Sequence, residues 1–171
     1  FLGMPLLFPV LVLQQVRLCV LHGNTPQSAF SYAAYGNLLN IILNNVPDAA
    51  RLGQLALDLA VVSPSKELKA KTYFVVAAFL QHHTSHLKES ISLLTDSYKI
   101  ALEAGDLEYV GYAAYHLCFN SYLIGYELTA LDQMMLGYVQ VLDELKQVTT
   151  LNYCQICRQV VLNLATSESQ T

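Results

Sequence analysis

Tyrosine recurs down this chain at Tyr32, Tyr73, Tyr112 and Tyr153, with steps of 41, 39 and 41 residues. Its neighbours recur with it. Tyr32-Ala33-Ala34-Tyr35 returns as Tyr112-Ala113-Ala114-Tyr115, and Asn40, Gln81 and Asn120 each fall eight residues after their tyrosine. A second series runs out of phase with the first: Ala60-Val61, Ala101-Leu102 and Val141-Leu142 are 41 and 40 residues apart, and Leu57, Tyr98 and Tyr138 precede them by three residues each. Two interleaved series of one period describe a two-element repeat. Units of this size cannot bury an apolar face alone, so they stack into a solenoid, an architecture whose usual work is binding other proteins.

The elements are helices, because apolar residues follow helical spacing and no segment alternates apolar and polar residues long enough for a strand. Turn chemistry divides the chain into about eight of them. A first helix over about Pro5 to Leu21 ends at Gly23, where a left-handed residue closes a helix. Thr25-Pro26 is a cap followed by a proline at the first helical position, and opens a helix to about Asn44. Pro47-Asp48 opens the next, to Val61. Ser63-Pro64 repeats the cap-then-proline signal for a helix through Tyr73 to about His82; Ser85 caps another reaching Ala104; Gly105-Asp106 supplies a stop and a fresh cap. The remaining helices are expected at about Leu107 to Ile124, Glu127 to Gln147 and Thr150 to Ala165, with a frayed polar tail over Thr166 to Thr171.

Connections of two to five residues make consecutive helices antiparallel neighbours. In each repeat an A helix (near residues 26, 64, 107 and 150) is followed by a B helix (near 47, 86 and 127), and the last A helix has no B partner. One domain over 1–171 is expected: repeats at about 25–62, 64–104 and 106–147, a partial repeat over 149–165, and a preceding helix in 1–22. Ala33-Ala34, Ala77-Ala78 and Ala113-Ala114 suit the centres of hairpins, where small side chains let helix axes approach.

Composition narrows the function. Apolar residues make up 54% and charged ones 13%, about half of the roughly 25% charge of an ordinary soluble domain. Mean hydropathy is +0.37. A membrane span needs about 20 consecutive apolar residues, whereas the apolar run Phe1 to Leu13 is interrupted by Gln14, Gln15 and Arg17, so a buried helix is expected there. The run also lacks the basic start and small-residue cleavage site of a signal peptide. Apolar end faces of a segment cut from a longer solenoid account for the excess, and such faces invite a homodimer. With a net charge of −4 and scattered cations, the chain lacks the basic face that nucleic acid requires. Cys19, Cys118, Cys154 and Cys157 are too few and irregular for a disulfide framework, which points to a reducing, cytoplasmic setting.

Chemical motifs are weak. His82 and His86 are spaced to share a helix face, but the turn at Thr84-Ser85 separates them and neither a third ligand nor an adjacent glutamate follows, so a polar corner is the expectation. Cys154-Gln-Ile-Cys157 has redox or zinc half-site spacing, yet lacks a second pair or a preceding strand; buried cysteine filler is expected. No nucleophile sits beside a base, so no catalytic residue, metal or cofactor is proposed. The repeat tyrosines suit repeat-to-repeat packing with hydroxyls at the rim. Asn40, Gln81 and Asn120 suit an amide ladder or a polar line along a groove. An interaction groove is therefore expected to draw on Tyr32, Asn40, Tyr73, Gln81, Tyr112 and Asn120. One alternative is a small-molecule sensor, with the tyrosines and His82, His83 and His116 lining a pocket between helices; the other is a membrane-associated helical bundle exploiting Phe1 to Leu13.

Small residues in the A helices, an Ala-Leu or Ala-Val pair late in B and a polar turn between repeats resemble the tetratricopeptide architecture, with longer helices and a step near 40 instead of 34. The stretches from His22 to Leu39, Leu52 to Leu57 and Ser97 to His116 are similar to the helical region of large microbial signalling kinases of the cyanobacterial type. In those proteins a protein-kinase domain and a STAND-type ATPase precede such helices, and a GAF sensor and a histidine kinase follow. The similarity spans about His22 to Leu145 and carries no catalytic motif: neither a phosphate loop, nor H-R-D, nor D-F-G, nor a phosphoacceptor His box is present. It implies an all-α, right-handed superhelix of antiparallel hairpins that serves as a non-catalytic interaction and relay segment of a larger cytoplasmic signalling kinase. Its partner would be a peptide, a helix or a neighbouring domain of the same chain.

Overall fold

The computed structural model describes residues 7–168, which form an all-α fold. Its helices are α1 (Leu7–His22), α2 (Ser28–Leu43), α3 (Val46–Val62), α4 (Lys66–Phe79), α5 (Ser90–Ala104), α6 (Leu107–Leu123), α7 (Leu128–Glu144) and α8 (Val148–Glu168), with no strand among the described residues. Two 3-10 turns, Gln81–His83 and Leu87–Glu89, join α4 to α5. Pro5, where the first helix was expected to begin, lies outside the described residues.

The helix ends follow local chemistry. Side chains of Asn45, Ser65 and Asp106 accept the backbone N–H of Asp48, Leu68 and Tyr109, satisfying donors that a helix start leaves open. Glu127 accepts two such bonds, from Thr129 and Ala130 at 2.8 and 2.7 Å. Gly105 and Gly125 turn the chain at φ of 73° and 77°, the left-handed region that glycine enters without strain. Some expected caps fall elsewhere. Thr25 does not cap α2; its own N–H donates to Ser28 Oγ at 2.8 Å, and the helix begins three residues later. Ser65, two residues past Ser63, caps α4. Ser85 caps no α-helix: its hydroxyl donates back to the Gln81 carbonyl, and α5 starts at Ser90 after the second 3-10 turn.

A strict 41-residue frame underlies the fold. Helices α4, α6 and α8 begin at residues 66, 107 and 148. Buried positions repeat on that step: Ser31, Thr72, Ala113 and Cys154 in one file, and Ala49, Ser90 and Leu131 or Ala60, Ala101 and Leu142 in others. Phe8, Val12, Gln15 and Cys19 precede Ala49, Gly53, Ala56 and Ala60 by the same 41 residues, so α1 has the frame of a B helix and packs on α2 as α5 packs on α6. Each helix touches the next, and α2, α4, α6 and α8 also pack on one another in turn. Two large cores result, one around Phe74, Leu80 and Leu94 and one around Val110, Met135 and Cys154, with a small third cluster of Val12, Ala34 and Leu38 between α1 and α2.

The expectation of a buried first helix is corrected. Of α1 only Val12 is buried, while Val10, Leu11, Leu13, Val20 and Leu21 are at least half exposed, because α1 has a neighbour on one side only. Among the described residues no helix is long and apolar enough to cross a membrane.

Candidate functional site

The A helices α2, α4, α6 and α8 present a common face, and α1 closes one side of it. Between them lies a cavity of about 470 Å³. Phe30, Tyr112 and Tyr153 line it from one file of the 41-residue frame, and Ala34, Val75 and His116 from the file one helical turn on. Phe8, Phe74, Phe79, Tyr109 and Tyr115 complete an aromatic wall, with Asn37, Ile41 and Thr150 at its margins. None of these side chains carries a formal charge when His116 is neutral.

His116 is the hub of the wall. Rings of Phe74, Tyr115 and Phe79 meet its imidazole edge-on at centroid distances of 5.0, 5.1 and 5.8 Å. Its Nδ1–H donates to the Tyr112 carbonyl at 3.0 Å, which fixes the neutral tautomer and leaves Nε2 as an acceptor. Burial lowers its pKa from the ordinary histidine value, against a smaller upward pull from the backbone bond. Tyr112 donates its hydroxyl to Glu108 at 2.7 Å; that bond, then burial, pushes the phenol up to about 12. Tyr109 is raised further, by burial first and then by Glu108 and Asp106. Both phenols stay neutral over the physiological range.

Of the six residues expected to form a groove, Tyr112 lines this cavity and the other five do not. The reason lies in the step of 39 between Tyr73 and Tyr112. It departs from the 41-residue frame by two residues, about 200° around a helix, so Tyr32 and Tyr73 point away from the face that Tyr112 and Tyr153 share. Tyr32 is buried in the first core and donates its hydroxyl to Asn24 at 3.1 Å. Tyr73 lies under the Lys69 ammonium, 5.5 Å from the ring centroid. The amides form no ladder either: Asn40 meets His83 Nε2 at 2.7 Å, Asn120 is buried and donates to Ser90 Oγ at 3.0 Å, and Gln81 borders a separate cavity beside Gly53 and Val76. Of the repeat tyrosines and histidines expected in the alternative pocket, Tyr112, Tyr153 and His116 do line the cavity; missed by sequence reasoning were Phe30, Phe74 and Phe79 as part of one wall. Counting back two strict periods from Tyr112 reaches Phe30, a signal that tyrosine identity hid.

The histidine corner is polar. His82 and His83 pack ring to ring at 4.0 Å on the 3-10 turn, and His86 accepts the Lys88 N–H. Neither His82 nor His83 lines the aromatic cavity. Among the described residues no group of three or more His, Cys, Asp or Glu is placed to hold a metal. Cys154 and Cys118 are both fully buried. The neighbouring Cys154 thiol on α8, then burial, pushes the Cys118 thiol up, and both side chains sit in the second core. Comparison with protein-family models, with curated proteins and with solved structures gives no match to this chain.

Proposed function

We propose that this chain is a non-catalytic interaction segment, a tetratricopeptide-like superhelix whose A-helix face receives a partner helix or peptide. The observation that carries the reading is the aromatic cleft shared by α1, α2, α4, α6 and α8. A face built by several repeats at once suits an extended partner, because apolar anchors one or two turns apart on an amphipathic helix reach successive walls. Partly exposed Tyr112 and Tyr153 and exposed Ile41 form its rim, and such rings supply contact area at low entropic cost. The likeness of the His22–Leu145 region to signalling-kinase helices supports a relay role inside a larger cytoplasmic signalling protein, where small rotations between stacked repeats pass a change at one end to the other.

Selection from a displayed library of helical peptides tests the binding claim. Recovered peptides are expected to carry apolar anchors at i, i+3 or i+4 and i+7, and to lose at least tenfold in affinity against Phe30→Lys/Tyr153→Lys. Failure to recover binders, or binders indifferent to those substitutions, overturns it. For the relay, deleting one 41-residue unit from the parent protein is expected to change the activity of a flanking domain; unchanged regulation sinks that part alone.

A further inference from the structure

We propose that the A-face cavity is a binding site for an uncharged, largely flat apolar molecule bearing one N–H or O–H group, which it donates to Nε2 of His116. The site lies in the same cleft as the proposed peptide groove and goes beyond that reading, since it concerns a small ligand held against the aromatic wall.

Volume and lining set the class. At about 470 Å³ the cavity falls within the roughly 300–1,000 Å³ of small-molecule sites. Its walls are mostly ring faces and edges of Phe30, Phe74, Phe79, Tyr112 and Tyr153, which favour a planar guest. A charged guest would surrender its hydration without an opposite charge on the lining, so the occupant is neutral.

His116 supplies the direction. Its Nδ1–H is committed to the Tyr112 carbonyl, and no protein donor among the described residues reaches Nε2. The ring is neutral near pH 7, so Nε2 offers a lone pair and accepts only. The Thr150 hydroxyl, also in the lining, is already committed through its donation to the Gln147 carbonyl at 3.3 Å. Nε2 is not among the buried atoms left without a partner, so a guest with a donor replaces water there, whereas a guest of the same shape without one displaces that water and returns nothing.

The chain contains no tryptophan, so indole fluorescence in its presence belongs to the probe alone. Titrating indole into the 171-residue protein is expected to give a saturable blue shift with a dissociation constant on the order of 0.1 mM, within reach of a nine-atom ligand. Benzofuran, which keeps the bicyclic shape and replaces the N–H by a ring oxygen, is expected to bind about five- to tenfold more weakly when measured by competition with indole, the worth of one hydrogen bond. His116→Phe keeps the aromatic volume and removes the acceptor, so the two probes should become equal. Ala34→Leu fills the cavity and should abolish binding of both, with helicity and melting temperature checked in parallel. Equal affinity of the two probes for the native chain, a preference that survives in His116→Phe, or no binding of either overturns the proposal. Should His116→Phe fail to fold, the native comparison of the two probes decides by itself.

Discussion

Hairpins α2/α3 and α6/α7 occupy the same 41-residue frame and close in different ways. In the first, α3 buries Ala49, Gly53, Ala56 and Ala60, and α2 comes so near that a Cβ on Gly36 would stand 3.0 Å from the Ala49 carbonyl oxygen. The equivalent file on α7 is Leu131, Met135, Tyr138 and Leu142. There the axes cannot approach, so α7 lies mainly along α8 and only lightly on α6. The close approach moves instead to α6 and α8, where a Cβ on Gly111 would overlap Thr150 Oγ1. The frame decides which positions are buried. Side-chain volume at those positions decides which neighbour a helix holds closest.

The hardest test removes volume from the wide hairpin. Leu142 is fully buried, and Leu142→Ala is expected to destabilise the chain by about 2–5 kcal/mol because the large side chain leaves a cavity. Ala60 occupies the same frame position on α3, so its enlargement is the mirror experiment, and Ala60→Leu is expected to cost about 1–3 kcal/mol through overpacking. Urea unfolding measures both. A cost below about 1 kcal/mol for Leu142→Ala would mean that α7 closes onto α6 after all, and the contrast between the hairpins would fail.

The second test addresses the displaced contact. Gly111→Ala puts a methyl into Thr150 at the start of α8, and a loss of about 1–3 kcal/mol is expected. Thr150→Ala removes the two atoms that crowd it most closely, so the double variant should regain most of that loss. A double-mutant cycle reads the coupling directly; additive single effects would place the tight contact elsewhere.

Much of the fold was legible because burial repeats and turn residues act locally. The hairpin order, the caps at Asp106 and the stops at Gly23 and Gly105 follow from residues within a few positions of each other. The cleft was only half legible. Tyrosine serves equally as core filler, as at Tyr32, and as groove wall, as at Tyr112, so matching by residue type masked a slip of two that rotates the side chain to the other face. Phe30 and His116 carry no motif; their meaning comes from five helices converging. The swing of α7 toward α8 also escapes local reading, because it is set by the summed volume of a file spread over one helix, matched against two competing neighbours. The bend after α4 was legible as a turn at Thr84-Ser85 but not in its form: Ser85 reads as a helix cap, yet the chain turns through two 3-10 segments bonded by Ser85 and His86 side chains.

The smallest effects come from a pair of glycines that isolates the comparison from everything else. Gly36 on α2 and Gly137 on α7 are both inside helices, where replacing glycine by alanine gains about 1 kcal/mol from backbone propensity alone. At Gly36 the new methyl meets the Ala49 carbonyl at 3.0 Å and Leu52 and Leu80 at 3.3 Å, so the overpacking term of about 1–3 kcal/mol outweighs that gain and the net effect is a loss of about 1 kcal/mol. At Gly137 a Cβ meets nothing within 4 Å, and Gly137→Ala should stabilise by about 0.5–1 kcal/mol. Opposite signs for one chemical change follow only if the first hairpin is tight and this face of the third is open. Equal signs, measured as the shift in urea midpoint at unchanged slope, would remove the distinction between them.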